Sequence, residues 1–224
     1  MTIGRRRASY HGNPFLGIYA STNNTHTLFP YEAPEKFVDA VGSALGTKAV
    51  RCSISGSNLN GLYSAMNSRG IVLPGLDGKA GERIGAETGL EVLVSRERWN
   101  AHRNNIAAND KGGIISEMVG QKERKGMEDC LGVELVPMRI ANYSTVGSLC
   151  VVNNRGFLAH YAASEDEMKE LEGIFKVGGG KGSANGGTGF VAVCMLANDK
   201  GYVVGESTTA FEMGRVEEAL GFLG

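Results

Sequence analysis

The chain has 224 residues, 42% of them apolar, and 23 basic residues against 24 acidic ones give a formal net charge of −1. That length and apolar content suit one large folded domain. The balanced charge excludes a global field of the kind that wraps nucleic acid, so any RNA contact has to be local. Four cysteines without CxxC spacing (Cys52, Cys130, Cys150, Cys194), no secretory leader and no apolar run of spanning length predict reduced thiols in a soluble cytoplasmic protein.

Taken in order, the segments repeat. "IYASTNNTHTLFP" (18–30) lies over "LYSAMNSRGIVLP" (62–74), and "ANDKGGIIS" (108–116), "VNNRGFLAH" (152–160) and "ANDKGYVVG" (197–205) continue the series. The shared core is Asn, any residue, a basic residue and Gly, then an apolar run; the glycines Gly70, Gly112, Gly156 and Gly201 are spaced 42, 44 and 45 residues. An apolar run, such a turn and a second apolar run read as a hairpin. A helix follows: Phe37, Val38, Val41 and Leu45 share one face and Gly46 stands at the C-terminal cap. In the fourth copy Ser164 with Glu167 forms a capping box ahead of Met168, Leu171 and Phe175. The second helix, around Gly81 to Glu87, is glycine-rich, and the third, Gln121 to Leu131, reads as shorter. Third strands close the units at 48–54, 90–96 and 133–140.

The expected architecture is therefore α/β, with five strand-strand-helix-strand repeats at about 13–56, 57–99, 100–142, 143–185 and 186–224 in a single domain, 1–224. The fifth repeat lacks its third strand, and the orphan "RASYHGNPFLGIY" (7–19) aligns with "RCSISGSNLNGLY" (51–63). The strand within 1–12 is thus expected to complete the fifth repeat and close the array into a ring, a fivefold α/β propeller.

Candidate chemistry is sparse. "VGGGKGSANGGTG" (177–189) has Gly182 rather than Ser or Thr after Lys181, and Phe175 where a phosphate loop needs glycine, so it reads as a flexible or partner-contacting loop. Cys150 and Cys194 fall in packing columns of first strands; His11, His26 and His102 lie at turns, and His160 ends a second strand. No thiol, histidine or carboxylate spacing predicts catalysis, a cofactor or a metal. Arg69, Lys111, Arg155 and Lys200 put one basic group on each of the four Asn-x-Arg/Lys-Gly hairpins, read as solvated turns or as a ring able to meet phosphate. At the opposite end "SGSNLNG" (55–61), "RWNAHRNN" (98–105), "ANYSTVGS" (141–148) and "SANGGTG" (183–189) form a polar collar carrying Leu59, Leu62, Trp99 and Tyr143. Turn chemistry and a protein-binding patch both account for that composition.

The repeat, "TVGSLCVVNNRGFLAH" (145–160) and "KGSANGGTGFVAVCMLANDKG" (181–201) resemble the translation initiation factor 6 family, the ribosome anti-association factors of archaea and eukaryotes. The resemblance covers nearly the whole chain and implies the pentein fold. It also implies a non-enzymatic, monomeric protein that binds the intersubunit face of the large ribosomal subunit, at ribosomal protein uL14 near the sarcin-ricin loop, and blocks joining of the small subunit. By position the family's binding face corresponds to Leu62 and Asn104, with Asn60 and Arg103 beside them. With the collar, the expected contact set is Asn58, Asn60, Leu62, Arg103, Asn104, Tyr143, Thr145 and Thr188. Leu62 departs from the basic residue of eukaryotic members, Tyr161 departs from the proline that commonly follows the position of His160, and the ending at Gly224 looks archaeal in type. The alternative on the same fold is a guanidino-modifying enzyme of amidinotransferase or deiminase type, with a Cys, a His and carboxylates around the axial channel.

Overall fold

The computed structural model describes residues 3–75 and 78–223. After β1 (Gly4–Ala8) and a 3-10 turn (Leu16–Ile18), the first unit runs β2 (Ser21–Thr22), β3 (His26–Phe29), α1 (Glu35–Leu45) and β4 (Lys48–Arg51). The second runs α2 (Asn60–Tyr63), β5 (Ala65–Met66), β6 (Gly70–Pro74), α3 (Gly78–Thr88) and β7 (Glu91–Ser95). The third is α4 (His102–Asn105), β8 (Ile106–Ala108), β9 (Gly113–Ser116), α5 (Gln121–Leu131) and β10 (Leu135–Met138). The fourth is α6 (Val146–Leu149), β11 (Cys150–Val152), β12 (Phe157–His160), α7 (Glu165–Phe175) and β13 (Gly179–Gly182). The fifth is α8 (Val191–Cys194), β14 (Met195–Ala197), β15 (Gly201–Gly205) and α9 (Ala210–Ala219).

These strands make five three-stranded sheets, each with its second strand in the middle, antiparallel to the first and parallel to the third. β1 fills the third place of the fifth sheet, parallel to β15 from Gly4↔Gly201 to Ala8↔Gly205. The expected closure by the N-terminal strand is thus present, and it pairs the edge of β15 that would otherwise lie open.

Long helices interlock the units. α1 lies on β1 and β15 of the fifth sheet, α5 on β6 and β7 of the second, and α9 on β12 and β13 of the fourth. Apolar stripes explain the docking: Phe37, Val38, Val41 and Leu45 of α1 are buried, as are Met127, Cys130 and Leu131 of α5 and Met168, Leu171 and Phe175 of α7. Burial of such side chains contributes roughly 1.5–3 kcal/mol each. Ser164 and Thr209 form full capping boxes with Glu167 and Glu212, and Gly46 ends α1 in the left-handed region at φ 58°.

Two local expectations are corrected. α5 is no shorter than α1, both having 11 residues; the surface-rich "QKERKG" weakens the apolar pattern without shortening the helix. The sequence also gives no sign that each first strand is preceded by one helical turn. Segments such as Gly61 to Met66 read as continuous strand, yet Asn60–Tyr63 is helical and only Ala65–Met66 pairs. In the described residues no helix is long and apolar enough to cross a membrane.

Candidate interaction face and axial channel

The five first strands surround the axis, and the 3-10 turn, α2, α4, α6 and α8 touch one another in a closed circle at one end. The hairpin turns form the other end.

At the hairpin end every unit repeats one asparagine. Asn23, Asn67, Asn109, Asn153 and Asn198 are all buried. Each side-chain Oδ1 accepts the backbone N–H groups two and three residues on, fixing the turn, as Asn198 does from Lys200 (2.9 Å) and Gly201 (3.2 Å). Each Nδ2 donates to the asparagine carbonyl of the next unit, at 2.8, 3.1, 3.0 and 3.1 Å along the chain. Asn198 completes the circle to Asn23 at 3.0 Å. Beside it runs a second polar circle, Asn24, Ser68, Asp110, Asn154 and Asp199, joined by side-chain and backbone hydrogen bonds. Arg69, Arg155 and Lys200 are also engaged: Arg69 donates to the Gly132 carbonyl (2.9 Å), Arg155 to that of Asp199 (3.4 Å), and Lys200 to those of Asn24 (2.7 Å) and Gly46 (3.0 Å). Lys111 reaches the Asn154 carbonyl at 3.2 Å. These cations tie neighbouring units together, which gives their regular spacing an architectural cause.

The opposite, entrance end is different in kind. Tyr10–Asn13, Ile54–Ser57 and Ile140–Tyr143 are tight turns whose two central residues are left-handed, with His11 at φ 50°, Ser55 at 57°, and Ala141 and Asn142 at 49° and 67°. The collar composition therefore does serve turn chemistry in these units. The glycine-rich stretch is ordered rather than loose: its first half is β13, and its second half wraps the Glu212 carboxylate. Glu212 accepts from Ser183 Oγ (2.8 Å), Gly187 N (2.8 Å) and Gly186 N (3.1 Å). Burial works to raise this carboxyl, but the bonds from Thr209, Gly187, Ser183 and Gly186 outweigh it and hold it at about 2. Amides that already serve a carboxylate are not free to cradle phosphate.

The same end gathers exposed apolar groups. Tyr31, Trp99, Met118, Tyr143, Tyr161 and Phe211 are all exposed there, Tyr161 at 57%. Tyr143 stands 5.4 Å from Phe190 and 5.9 Å from His160, and Tyr161 lies over His160 at 4.3 Å, so four rings from three segments back one another. The sequence offers no reason to bring Tyr143 and Tyr161 to one imidazole; in the structure both pack against His160 at the end of β12.

The eight expected contact residues divide. Asn58 and Tyr143 are exposed, while Leu62, Asn104, Thr145 and Thr188 are half-buried on the entrance segments. Asn60 is fully buried, and its Nδ2 donates to the Cys52 carbonyl at 3.0 Å. It cannot touch a partner and leaves the contact set. Arg103 is half-buried and lines the axial cavity with Thr22, Met66, Ile106, Gly147 and Cys150. His102, expected at a turn, begins α4 and is fully buried.

All four cysteines are buried. Burial pushes the thiols of Cys52 and Cys194 up to about 12 and that of Cys150 higher still. Cys150 borders the axial cavity, whose lining holds neither a histidine nor a carboxylate. No group of acidic, His or Cys side chains placed to hold a metal occurs among the described residues.

A closed fivefold α/β ring with an apolar-studded face defines a propeller scaffold. The chain belongs to the eIF-6 family, whose model matches residues 5–219. It is 37% identical over 217 residues to translation initiation factor 6 of Picrophilus torridus, covering 96% of this chain and 99% of that protein. The factor of the same name from Methanocaldococcus jannaschii is 38% identical over 224 residues, covering 97% of this chain and 98% of that protein. Those names are of translation factors, not of enzymes. Among solved structures the N-terminal domain of ArgZ is similar at a TM-score of 0.49 and 11% identity, covering 73% of this chain and 66% of that one.

Proposed function

We propose that this protein is a cytoplasmic, monomeric translation initiation factor that binds the intersubunit face of the large ribosomal subunit, at uL14 near the sarcin-ricin loop, and prevents the small subunit from joining. The observation that carries this reading is the entrance face, where Tyr143, Tyr161 and Trp99 stand exposed among polar turns. Exposed aromatics within a polar rim are the composition of a protein-binding patch. Occlusion of a second subunit requires position and affinity and no chemistry, in keeping with raised, enclosed thiols. The contact set is Asn58, Leu62, Asn104, Tyr143, Thr145 and Thr188, extended by Trp99 and Tyr161.

Co-sedimentation of the purified protein with isolated large and small subunits tests the proposal. Pelleting with the large subunit alone, and fewer joined ribosomes on gradients, is the expected result. Failure to pellet with large subunits at moderate salt would overturn it.

A further inference from the structure

Arg103 is the second residue of α4. Its counterparts are Gly17 in the 3-10 turn, Gly61 in α2, Gly147 in α6 and Ala192 in α8. These positions form the column where neighbouring units touch around the axis: a Cβ at Gly17 would strike the Ala192 carbonyl, one at Gly61 the Gly17 carbonyl, and one at Gly147 the Arg103 carbonyl. The third unit alone sets a long cationic side chain into this column of small residues.

The side chain borders an axial cavity of about 40 Å³ whose walls include Ala65, Met66, Ala108, Val152 and Ala197. Arg103 keeps part of its accessible area because that space is wide enough for water, but protein otherwise encloses it, and burial pushes its guanidinium down to about 10. Burial is the cause of that shift, and among the described residues no acidic neighbour or hydrogen bond acts on the group. Thr22, the wall's hydroxyl, is already engaged with Thr27 at 2.8 Å and with the carbonyls of Asn23 and His26. A buried charge without a counter-charge is costly, and attraction to an anion is strengthened by apolar walls.

We propose that the axial cavity binds a small monatomic anion such as chloride, held by the Arg103 guanidinium. The guanidinium brings five N–H donors and no acceptor, so its natural complement is an anion. The cavity admits only about three water-sized groups, which suits a halide with its remaining water better than the larger phosphate or a carboxylate. This site is separate from the entrance-face contacts and holds whether or not the protein binds ribosomes.

The test compares the full chain with Arg103→Gly, which restores the glycine of three other units and so should fold. Melting temperature is measured in sodium chloride, sodium bromide and sodium gluconate at equal ionic strength. The wild type should gain a few degrees in chloride and bromide, saturating with concentration, while Arg103→Gly shows only the general salt effect common to both proteins. An identical anion dependence of the two proteins, or no dependence in the wild type, would overturn the proposal. Crystals grown in bromide supply a second reading: an anomalous peak within hydrogen-bond distance of the guanidinium is expected, and water alone at that place would refute the site.

Discussion

Asn198 Nδ2 donates to the carbonyl of Asn23 at 3.0 Å across a sequence separation of 175 residues. This single bond joins the last unit to the first and makes the asparagine series a circle. The same Nδ2 reaches the Leu45 carbonyl at 2.9 Å, at the end of α1, so one side chain fixes a turn, a helix terminus and a neighbouring unit.

Replacing Asn198 by Ala should therefore cost far more than an exposed substitution. The carbonyls of Asn23 and Leu45 lose a donor, and the amides of Lys200 and Gly201 lose an acceptor, inside a site where the asparagine is 3% exposed. Unsatisfied buried groups of this kind are worth about 1–3 kcal/mol each, and partial access to water brings the expected loss to about 3 kcal/mol. Urea unfolding of the variant against the wild type measures it; a loss under about 1 kcal/mol would show that the circle is incidental.

Deleting residues 1–8 should open the ring. The edge of β15 from Gly201 to Gly205 would lose its parallel partner, and α1 would lose part of the surface on which it packs. A loss above about 4 kcal/mol corresponds to a fall in Tm of roughly 10 °C or more in a chain of this size. An unchanged Tm, with no new tendency to self-associate, would mean that closure does not depend on this strand.

Why the sequence exposes the ring so clearly is visible in these residues. Each asparagine serves its own turn and the next unit, so five positions carry the same letter for the same geometric reason, and periodic spacing reports it directly. The one-turn helices are hidden because Gly61 to Met66 has the same apolar character whether helical or extended; contact between neighbouring units, not local preference, selects the helix. Asn60 and Asn104 look alike as letters near the collar, yet Asn60 turns inward to the Cys52 carbonyl. Arg103 reads as a surface base because charge predicts exposure, and only its place in the glycine column shows that it lines the axial cavity.

That difference separates contact from structure experimentally. Asn104→Lys, Tyr143→Ala and Tyr161→Ala should weaken co-sedimentation with large subunits by about tenfold or more in the case of a central aromatic, with Tm nearly unchanged. Asn60→Ala should do the reverse, costing about 1–3 kcal/mol of stability while the folded fraction binds normally. Equal loss of binding and of stability in Tyr143→Ala would show that the ring supports Phe190 rather than meeting a partner.

His102 supplies the pH dependence. Burial pushes its imidazole down to about 4 from 6.5, against opposing effects of Glu97, the Leu73 backbone and Glu123, and among the described residues no hydrogen bond of good geometry reaches either ring nitrogen. The folded state thus binds its proton less readily than the unfolded state. Stability from the neutral ring is complete above pH 6.5 and is lost progressively as pH falls toward 4. The slope is at most about 1.4 kcal/mol per pH unit for one proton, giving up to about 3 kcal/mol over that window. Leu16 occupies the same place in the first unit and is fully buried, so His102→Leu should fold. His26 and His160 are also lowered by burial and contribute in both proteins. The difference between wild type and His102→Leu in urea-derived stability, measured from pH 7 to pH 4, isolates this one histidine. Wild type should lose stability relative to the variant across the window, and parallel curves would show that His102 titrates normally and is not sealed from solvent.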